Sequence, residues 1–477
     1  MTTGMNFWDA DVWSFVITLT SLLLAMIVAN ILRNTIRPLR QLMIPSSVLG
    51  GFLLLIALWL IRKLTGNELV TTSTLEMLTY HGLGLGFAAM ALRNIDKKQD
   101  TRTKSGAFDA GVAVVAGYLL QGVVGLAVTI VLYKIMGSFF ASGLLLPMGY
   151  GQGPGQAYNW GHTYELAHSD VFSNGTSFGL TVAAMGFVSA SIGGVIFLNH
   201  LRRKGVIRGE IGKNVTDNLT IDDFTGKDEI PLSESMDKFT IQMALVFGAY
   251  LLAYLFMFGV NCIIETGVLG GLGSTLQSVI WGFQFLFSTL AAILLKSVLR
   301  GLKKKGVIKR EYTNNFMQNR IAGFMFDIMV VASIGAINLS AFTEPEFVIP
   351  LSIICVLGAV VTYVYHRIIC KRVFPGYEYE AFISLYGMQT GTASTGAILL
   401  RELDPQFTTQ AADNLVYHQL WAIVFGFPIM LLMGLAHQSL GKALLTGGIL
   451  LVLFIVYNII LLRGRLFRRK QKQTEGE

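Results

Sequence analysis

The sequence predicts an all-α polytopic membrane protein, and its composition and its apolar segments carry that prediction. Of its 477 residues, 53% are hydrophobic and only 14% are charged, and the mean hydropathy is +0.57. A soluble chain carries about a quarter charged residues, whereas a run of about 20 apolar residues spans a bilayer as a helix. The sequence shows no catalytic nucleophile–base pair, no paired catalytic carboxylates and no nucleotide-binding loop, so it does not predict an enzyme.

Eleven long apolar segments are predicted to cross the membrane. They are residues 13–32, 43–61, 75–92, 107–133, 177–198, 240–264, 276–295, 321–340, 347–369, 415–436 and 443–462. Two further stretches, 143–160 and 380–400, are apolar at their ends and glycine-rich and polar in the middle. A continuous lipid-facing helix is unfavourable there, because Pro154 among glycines would leave backbone groups unpaired in hydrocarbon. We therefore expect two re-entrant hairpins, each entering and leaving the membrane on one side.

The distribution of Lys and Arg predicts the orientation of the chain. If both hairpins re-enter, 33 of the 37 basic residues fall on one side, and only Arg62, Lys63, Lys134 and Lys442 fall on the other. Cytoplasmic loops are enriched in Lys and Arg, so we expect an extracytoplasmic N-terminus and a cytoplasmic C-terminus in a cell (inner) membrane. If 143–160 crossed once, this excess would collapse, although a single miscounted span remains the alternative.

The two halves of the chain repeat one arrangement in opposite senses. Residues 1–198 and 240–436 each hold five predicted helices and one hairpin, and the polar stretch 199–239 is a predicted cytoplasmic linker. This is an inverted-topology repeat of 5+5 transmembrane helices, which is typical of secondary transporters. Residues 437–477 add one extra C-terminal transmembrane helix and a basic cytoplasmic tail. Both hairpins carry a Gly-x-x-x-Gly-x-Ala pattern, at 151–157 and 387–393, although GxxxG alone more often marks helix packing.

The hairpin tips are the predicted binding site. Free backbone N–H groups and helix N-termini favour anions, and neutral oxygens can ligate Na⁺. The candidate substrate-binding residues are Gly151, Gln152, Gly153, Gly155, Gln156, Asn159, Gln389, Thr390, Gly391, Thr392, Ser394 and Thr395. The alternative is that these polar groups only cap broken helices.

Asp327 and Asn338 are the candidate residues for a Na⁺ or H⁺ site. Asp327 lies inside the predicted span 321–340, and a carboxylate within a membrane is costly enough to indicate function. The alternative is an interfacial Asp paired with Arg320, two turns earlier. Asn338, later in the same segment, could instead cap or pack. We expect no cofactor beyond the coupling ion.

The chain resembles the sodium/glutamate symporter family over roughly residues 13–436. The resemblance rests on Ile44 to Gly51, Gly149 to Trp160, Gly186 to Gly194 and Tyr379 to Ala397. It implies ten core helices in two inverted repeats, a homodimer, and Na⁺-driven uptake of glutamate or a related small carboxylate by an elevator-type motion. The chain departs from the family by lacking His around Gly151 and by lacking a Thr-Pro step in the second hairpin.

The sequence therefore predicts a secondary active transporter, whose partners are a small carboxylate, Na⁺ and membrane lipid, with no nucleic acid. Three alternatives stay open at this point. One is a carrier of the same fold that uses H⁺ or transports another small anion or amino acid. The second is a channel, and the third is an intramembrane enzyme such as a lipid-modifying protein.

Overall fold

A computed structural model of the chain describes residues 10–94, 101–206, 237–267, 280, 282–405 and 409–474. All regular elements of this described part are helical. The α-helices are α1 (Ala10–Thr35), α2 (Arg37–Leu42), α3 (Ser46–Thr65), α4 (Thr72–Leu92), α5 (Thr101–Met136), α6 (Pro154–Ala167), α7 (Gly175–Arg203), α8 (Lys238–Glu265), α9 (Gln284–Lys304), α10 (Asn315–Gly335), α11 (Pro345–Val373), α12 (Glu378–Thr390), α13 (Ala393–Leu400), α14 (Gln410–Ala436) and α15 (Leu440–Thr474). Most of the predicted linker 199–239 lies outside the described residues.

Eight helices within the described residues are long and apolar enough to cross a membrane. They correspond to eight of the eleven predicted spans, which confirms a multi-pass helical membrane protein. The other three predicted spans are also helical, as α4, α10 and α14, and of these α4 and α10 are less apolar over a full membrane thickness. Of these, α14 contributes a shorter apolar stretch, Trp421–Ala436.

The lower hydrophobicity of α4 and α10 is explained by their packing on each other. A β-carbon at Gly82 of α4 would lie 2.9 Å from Cβ of Met329 on α10. About half of the residues of each helix are buried within the protein. Because a helix face screened by a neighbouring helix does not meet lipid, it can carry glycine and polar residues where a lipid-facing helix carries large apolar ones.

The helices form two compact units, and each unit draws on both halves of the sequence. The first unit contains residues 1–26, 51–97 and 216–336, and the second contains residues 27–50, 98–215 and 337–477. Helices α4 and α8 to α10 thus belong to the first unit. Helices α5 to α7 and α11 to α15 belong to the second. The inverted repeat of residues 1–198 and 240–436 stays a prediction.

The extra C-terminal helix α15 is an integral part of the second unit. Its Arg463 forms an ion pair of 3.0 Å with Asp109 of α5 and stacks over the Phe108 ring, 4.9 Å from the ring centre. Tyr457 of α15 donates a hydrogen bond of 3.0 Å to the backbone oxygen of Phe425 on α14. These contacts fix α15 along α5 and α14.

Some predicted boundaries differ from the observed helix ends. The span predicted at 321–340 is helical over Asn315–Gly335, where the Asn314 side chain caps the first turn and accepts a hydrogen bond of 2.8 Å from Met317 N. Asn338 therefore lies beyond this helix, not inside it. The span predicted at 276–295 ends later, because the helix Gln284–Lys304 continues into the basic stretch after 295, while residues 276–279 lie outside the described part.

Glycine permits the tightest backbone approach in the second unit, and substitution there tests the packing. A β-carbon at Gly125 of α5 would collide with the backbone oxygen of Gly143. We expect Gly125→Ala to destabilise the protein by about 1–3 kcal/mol through overpacking, measured as a lower melting temperature in detergent. Gly248→Ala on α8 is the control, because no atom lies within 4 Å of its β-carbon position. Since Ala also favours helices over Gly, equal melting temperatures for the two variants would contradict the packing assignment.

Two histidines join the ends of α6 and α14. His168 Nε2 lies 3.2 Å from His437 Nδ1, and Tyr164 of α6 donates a hydrogen bond of 3.0 Å to the backbone oxygen of Met433. Burial, together with the nearby His168 and Lys442, lowers the pKa of His437 to about 4 from an ordinary value of 6.5. Because the folded protein keeps His437 neutral, the unfolded chain binds more protons between those two pH values.

The His437 contact predicts a pH-dependent stability. As the pH falls from 6.5 to about 4, the unfolded state gains a proton that folded His437 does not take up, so stability decreases over this window. We expect His437→Gln to lessen the drop in melting temperature between neutral pH and pH 5. The matched control is His200→Gln, which changes an exposed histidine at the end of α7. An unchanged pH profile in His437→Gln would contradict this assignment.

Candidate functional site

The first predicted hairpin contains a break in helical structure inside the second unit. A 3₁₀ turn over Ser142–Leu144 is followed by a π-helical turn over Pro147–Gly151, and α6 starts at Pro154. Gly153 separates the last two elements with φ of +87°, a conformation that side chains other than glycine rarely adopt. Pro154 then suits the first helical position, since its missing N–H has no intrahelical partner there.

The second predicted hairpin is a pair of helices that fold back on each other. Helix α12 ends at Thr390 and α13 starts at Ala393, with Gly391 and Thr392 between them. A β-carbon at Gly387 of α12 would lie 2.9 Å from Cα of Gly396 on α13. The glycines on both helices thus allow their backbones to touch.

The shared Gly-x-x-x-Gly-x-Ala pattern has different positions relative to the two breaks. In the first segment, Gly151 ends the π-helical turn and Gly155 already lies in α6. In the second segment, Gly387 lies within α12 and Gly391 lies in the break itself. The pattern therefore occurs in both broken segments, but its glycines lie at different positions relative to the two helix breaks.

The two breaks meet inside the second unit. A β-carbon at Gly153 would lie 3.8 Å from Cγ2 of Thr392, in van der Waals contact. Helix α7 packs against both segments at Gly186, where a β-carbon would collide with the backbone oxygen of Thr390 and would lie 3.0 Å from the Tyr150 ring. Glycine at 186 therefore lets one helix pack against both broken segments.

Helix α5 holds both broken segments through two polar side chains one turn apart. Tyr118 donates a hydrogen bond of 3.0 Å to the backbone oxygen of Gly151. Gln121 Nε2 donates to the backbone oxygen of Gln389 at 3.1 Å and to Thr362 Oγ1 of α11 at 2.8 Å. Gln389 in turn donates through Nε2 to the backbone oxygen of Val114 on α5. These bonds satisfy carbonyl groups that the interrupted helices leave without an intrahelical donor.

A second polar link runs through Ser189 of α7. The Tyr150 hydroxyl lies 2.9 Å from Ser189 Oγ and donates at 2.8 Å to the backbone oxygen of Cys355. Tyr386 of α12 donates to the backbone oxygen of Ser189 at 2.9 Å. One residue of α7 thus joins a tyrosine from each broken segment, which ties the two segments into one packed assembly.

Several buried polar atoms around the breaks lack a hydrogen-bond partner among the residues that the structure describes. Gln156 is 2% exposed, and both its Oε1 and its Nε2 are unpaired. The Oε1 atoms of Gln121 and Gln389 are also unpaired, at 1% and 0% exposure. Trp160 Nε1 and His366 Nε2 are unpaired as well. Buried polar groups are nearly always paired, so these exceptions, which we refer to together as the polar cluster, call for a ligand, an ion or ordered water.

The side chains of this cluster are uncharged, and they can bind either a cation or an anion. The three amide oxygens of Gln121, Gln156 and Gln389 are acceptors of the kind that Na⁺ prefers, while Gln156 Nε2 and Trp160 Nε1 are donors that can bind a carboxylate. The described residues contain no group of three or more His, Cys, Asp or Glu that could hold a metal ion.

The predicted substrate-binding residues gather at the two meeting breaks. Most of them are buried, Gln152 and Thr392 are partly buried, and Ser394 is exposed. Thr392 caps α13, because its side chain accepts from Thr395 N. The capping alternative thus accounts for Thr392 but not for Gln156, whose polar atoms serve no helix end.

The two candidate ion-site residues are not members of this cluster. Asp327 is an exposed residue of α10 in the first unit. Asn338 is in the second unit, where its Oδ1 accepts from Ser340 N at 3.1 Å as the cap of the 3₁₀ turn Leu339–Thr343. Its Nδ2 donates to Asn174 Oδ1 at 3.2 Å. The capping role allowed for Asn338 is therefore observed, and an ion-binding role for either residue stays a prediction.

Sequence reasoning did not single out Tyr118, Gln121, Thr362 or His366. Each lies within a long apolar segment, on α5 or α11, where one polar residue is easily taken as incidental. The available signal was Gln121, an amide in the middle of the predicted span 107–133. A buried amide within a membrane helix needs partners, and the structure supplies them from the broken segments.

Comparison with known proteins does not assign the chain to a family. No protein-family model matches it, and no curated protein does so either.

Gln121 is expected to stabilise the contact between α5 and the second broken segment. We expect Gln121→Leu to cost about 1–3 kcal/mol, because it leaves the Gln389 carbonyl buried without this donor. The measurement is the melting temperature in detergent. Gln438→Leu is the control, since this exposed glutamine bonds to the backbone oxygen of Gly434 and to Lys442, and neither belongs to the broken segments. A Gln121→Leu protein as stable as the control would show that the bond contributes nothing.

Proposed function

We propose that this membrane protein is a secondary active transporter that couples Na⁺ to the symport of glutamate or a related small carboxylate. The observation that carries the proposal is the meeting of two interrupted helical segments beside a cluster of unpaired, buried polar side chains. Interrupted helices that line a site between repeats are characteristic of secondary transporters.

The polar cluster supports simultaneous binding of a cation and a carboxylate. Three buried amide oxygens can replace part of the hydration shell of Na⁺. The start of α6 directs backbone N–H groups and the positive end of the helix dipole toward the break at Gly153. A bound Na⁺ beside a carboxylate would lower the cost of burying either charge alone, which gives a physical basis for coupling.

The composition of the second unit supports an inverted repeat. In our reading, α5 and α11 are the fourth helices of the two halves, and α7 and α14 are the fifth. Helix α5 of the first half packs against α14 of the second, and α11 of the second half packs against α7 of the first. Both broken segments belong to the same unit. Packing of the fourth helix of each half against the fifth helix of the other half is expected when two related halves fold around one site.

The proposed mechanism needs no covalent chemistry. Na⁺ and the carboxylate bind where the re-entrant hairpins meet, and their joint binding favours closure of a hairpin over the site. The unit that carries both hairpins then changes sides in an elevator-type motion. The expected orientation has the N-terminus outside and the C-terminus in the cytoplasm, and the resemblance to sodium/glutamate symporters implies a homodimer.

Uptake into proteoliposomes tests the proposal. We expect accumulation of radiolabelled glutamate to require an inward Na⁺ gradient, and we expect Gln156→Leu to reduce it at least about tenfold, equivalent to about 1.4 kcal/mol of binding. Gln438→Leu, outside the cluster, is expected to transport normally.

The outcomes separate the proposal from its rivals. Uptake that follows a pH gradient without Na⁺, and that is lost in Asp327→Asn, would replace Na⁺ coupling by H⁺ coupling. Currents far above carrier turnover would indicate a channel. Uptake that persists in Gln156→Leu at the wild-type rate would remove the polar cluster from the transport site.

A further inference from the structure

A basic cleft lies in the first unit, where α9 ends and the chain leads into α10. Four cationic residues line it, Lys296, Arg300, Lys303 and Arg310, together with one carboxylate, Glu311. The cleft is partly open to solvent, and its cavity volume is only about 10 Å³. We propose that it binds the phosphate-bearing headgroup of an anionic phospholipid.

Two of the cations are held in place by neutral partners. Lys296, only 8% exposed, donates through Nζ to the backbone oxygens of Ala91 at 2.6 Å and Arg93 at 2.7 Å, at the end of α4. Arg300 donates to Asn94 Oδ1 at 2.7 Å. Because carbonyl and amide oxygens carry no net charge, these bonds position the cations without neutralising them.

Glu311 neutralises only part of the positive charge. Its Oε2 pairs with Lys303 Nζ at 3.1 Å, and Asn94 and Thr313 donate to its Oε1 at 3.3 and 3.1 Å. Burial alone would raise the pKa of Glu311, but these hydrogen bonds and the Lys303 charge lower it below its ordinary value. Glu311 is therefore ionised at neutral pH, and it is the one carboxylate among the described residues that line the cleft, beside four cationic side chains.

The position of the cleft favours a lipid over a soluble anion. It lies at the end of α9, a helix long and apolar enough to span a membrane. Val307, in the loop after α9, is 68% exposed, and the exposed residues Lys304, Lys305 and Lys309 surround it in sequence. An apolar side chain among lysines suits the membrane interface, where basic pockets between helices bind anionic headgroups.

The face of α9 that leads to the cleft also suits an acyl chain. Ile293 lies one turn before Lys296 and is 42% exposed. A lipid could thus place its phosphate in the cleft and its hydrocarbon along Ile293. This inference is independent of the transported substrate.

Native mass spectrometry of the purified full-length protein tests the site. We expect more phosphatidylglycerol than phosphatidylcholine to stay bound. We expect the double variant Arg300→Gln/Arg310→Gln to weaken phosphatidylglycerol binding about tenfold, equivalent to about 1.4 kcal/mol. This variant keeps the Lys303–Glu311 pair. The matched control is Lys304→Gln/Lys305→Gln, which removes the same charge from exposed neighbours that do not line the cleft. We expect less than about a twofold change in the control, since the cleft residues are intact.

Three results would overturn the proposal. Equal losses in both double variants would show diffuse attraction to the whole basic loop, and equal retention of the two lipids would show no anionic preference. Inorganic phosphate that displaced phosphatidylglycerol completely would identify a soluble anion as the ligand. Melting temperatures without added lipid show whether each variant is folded. If Arg300→Gln/Arg310→Gln proves unstable, the variant Arg300→Lys/Arg310→Lys, which keeps both charges, is expected to retain binding.

Discussion

The structure depends on one constraint, which is that hydrocarbon offers no hydrogen-bond partners to a polypeptide backbone. A helix satisfies this constraint by itself, but an interrupted helix must find donors and acceptors in its neighbours. Here α5 supplies them to both interrupted segments, through Tyr118 to the Gly151 carbonyl and through Gln121 to the Gln389 carbonyl. The breaks are therefore possible because α5 and α7 enclose them.

Glycine residues let the neighbouring helices approach the broken segments closely enough to enclose them. At Gly125 and Gly186 the neighbouring backbone occupies the space that a side chain would need. Tight packing brings the breaks together, yet it also buries amide groups that find no partner among the described residues, above all Gln156. Since an unpaired buried amide costs about 1–3 kcal/mol, its presence beside two helix breaks fits a site that a polar ligand completes. A neutral site can accept a cation and an anion together without holding a permanent buried charge.

Charge in the described part of the first unit is concentrated at helix ends. Lys296 and Arg300 are bonded to the end of α4, and the loop after α9 adds further lysines. The predicted span 276–295 stops before these residues, so the charge count assigns them to a cytoplasmic loop. The helix instead continues to Lys304, which turns part of that loop into a lined cleft. A topology signal and a binding site can thus share residues, since both depend on positive charge at the membrane surface.

Hydrophobicity alone determined that this is a helical membrane protein, and it located eight spans that the structure confirms, because burial in lipid acts on each segment separately. Glycine and proline content likewise located both helix breaks, since backbone geometry is a local property. Hydrophobicity and glycine content could not determine which residues far apart in the sequence contact each other. The role of Gln121, the grouping of α15 with α5 and the end of α10 before Asn338 depend on contacts between segments far apart in the chain. Only the tertiary structure decided these, because a polar residue in an apolar helix becomes part of a site only through the neighbours that folding brings to it.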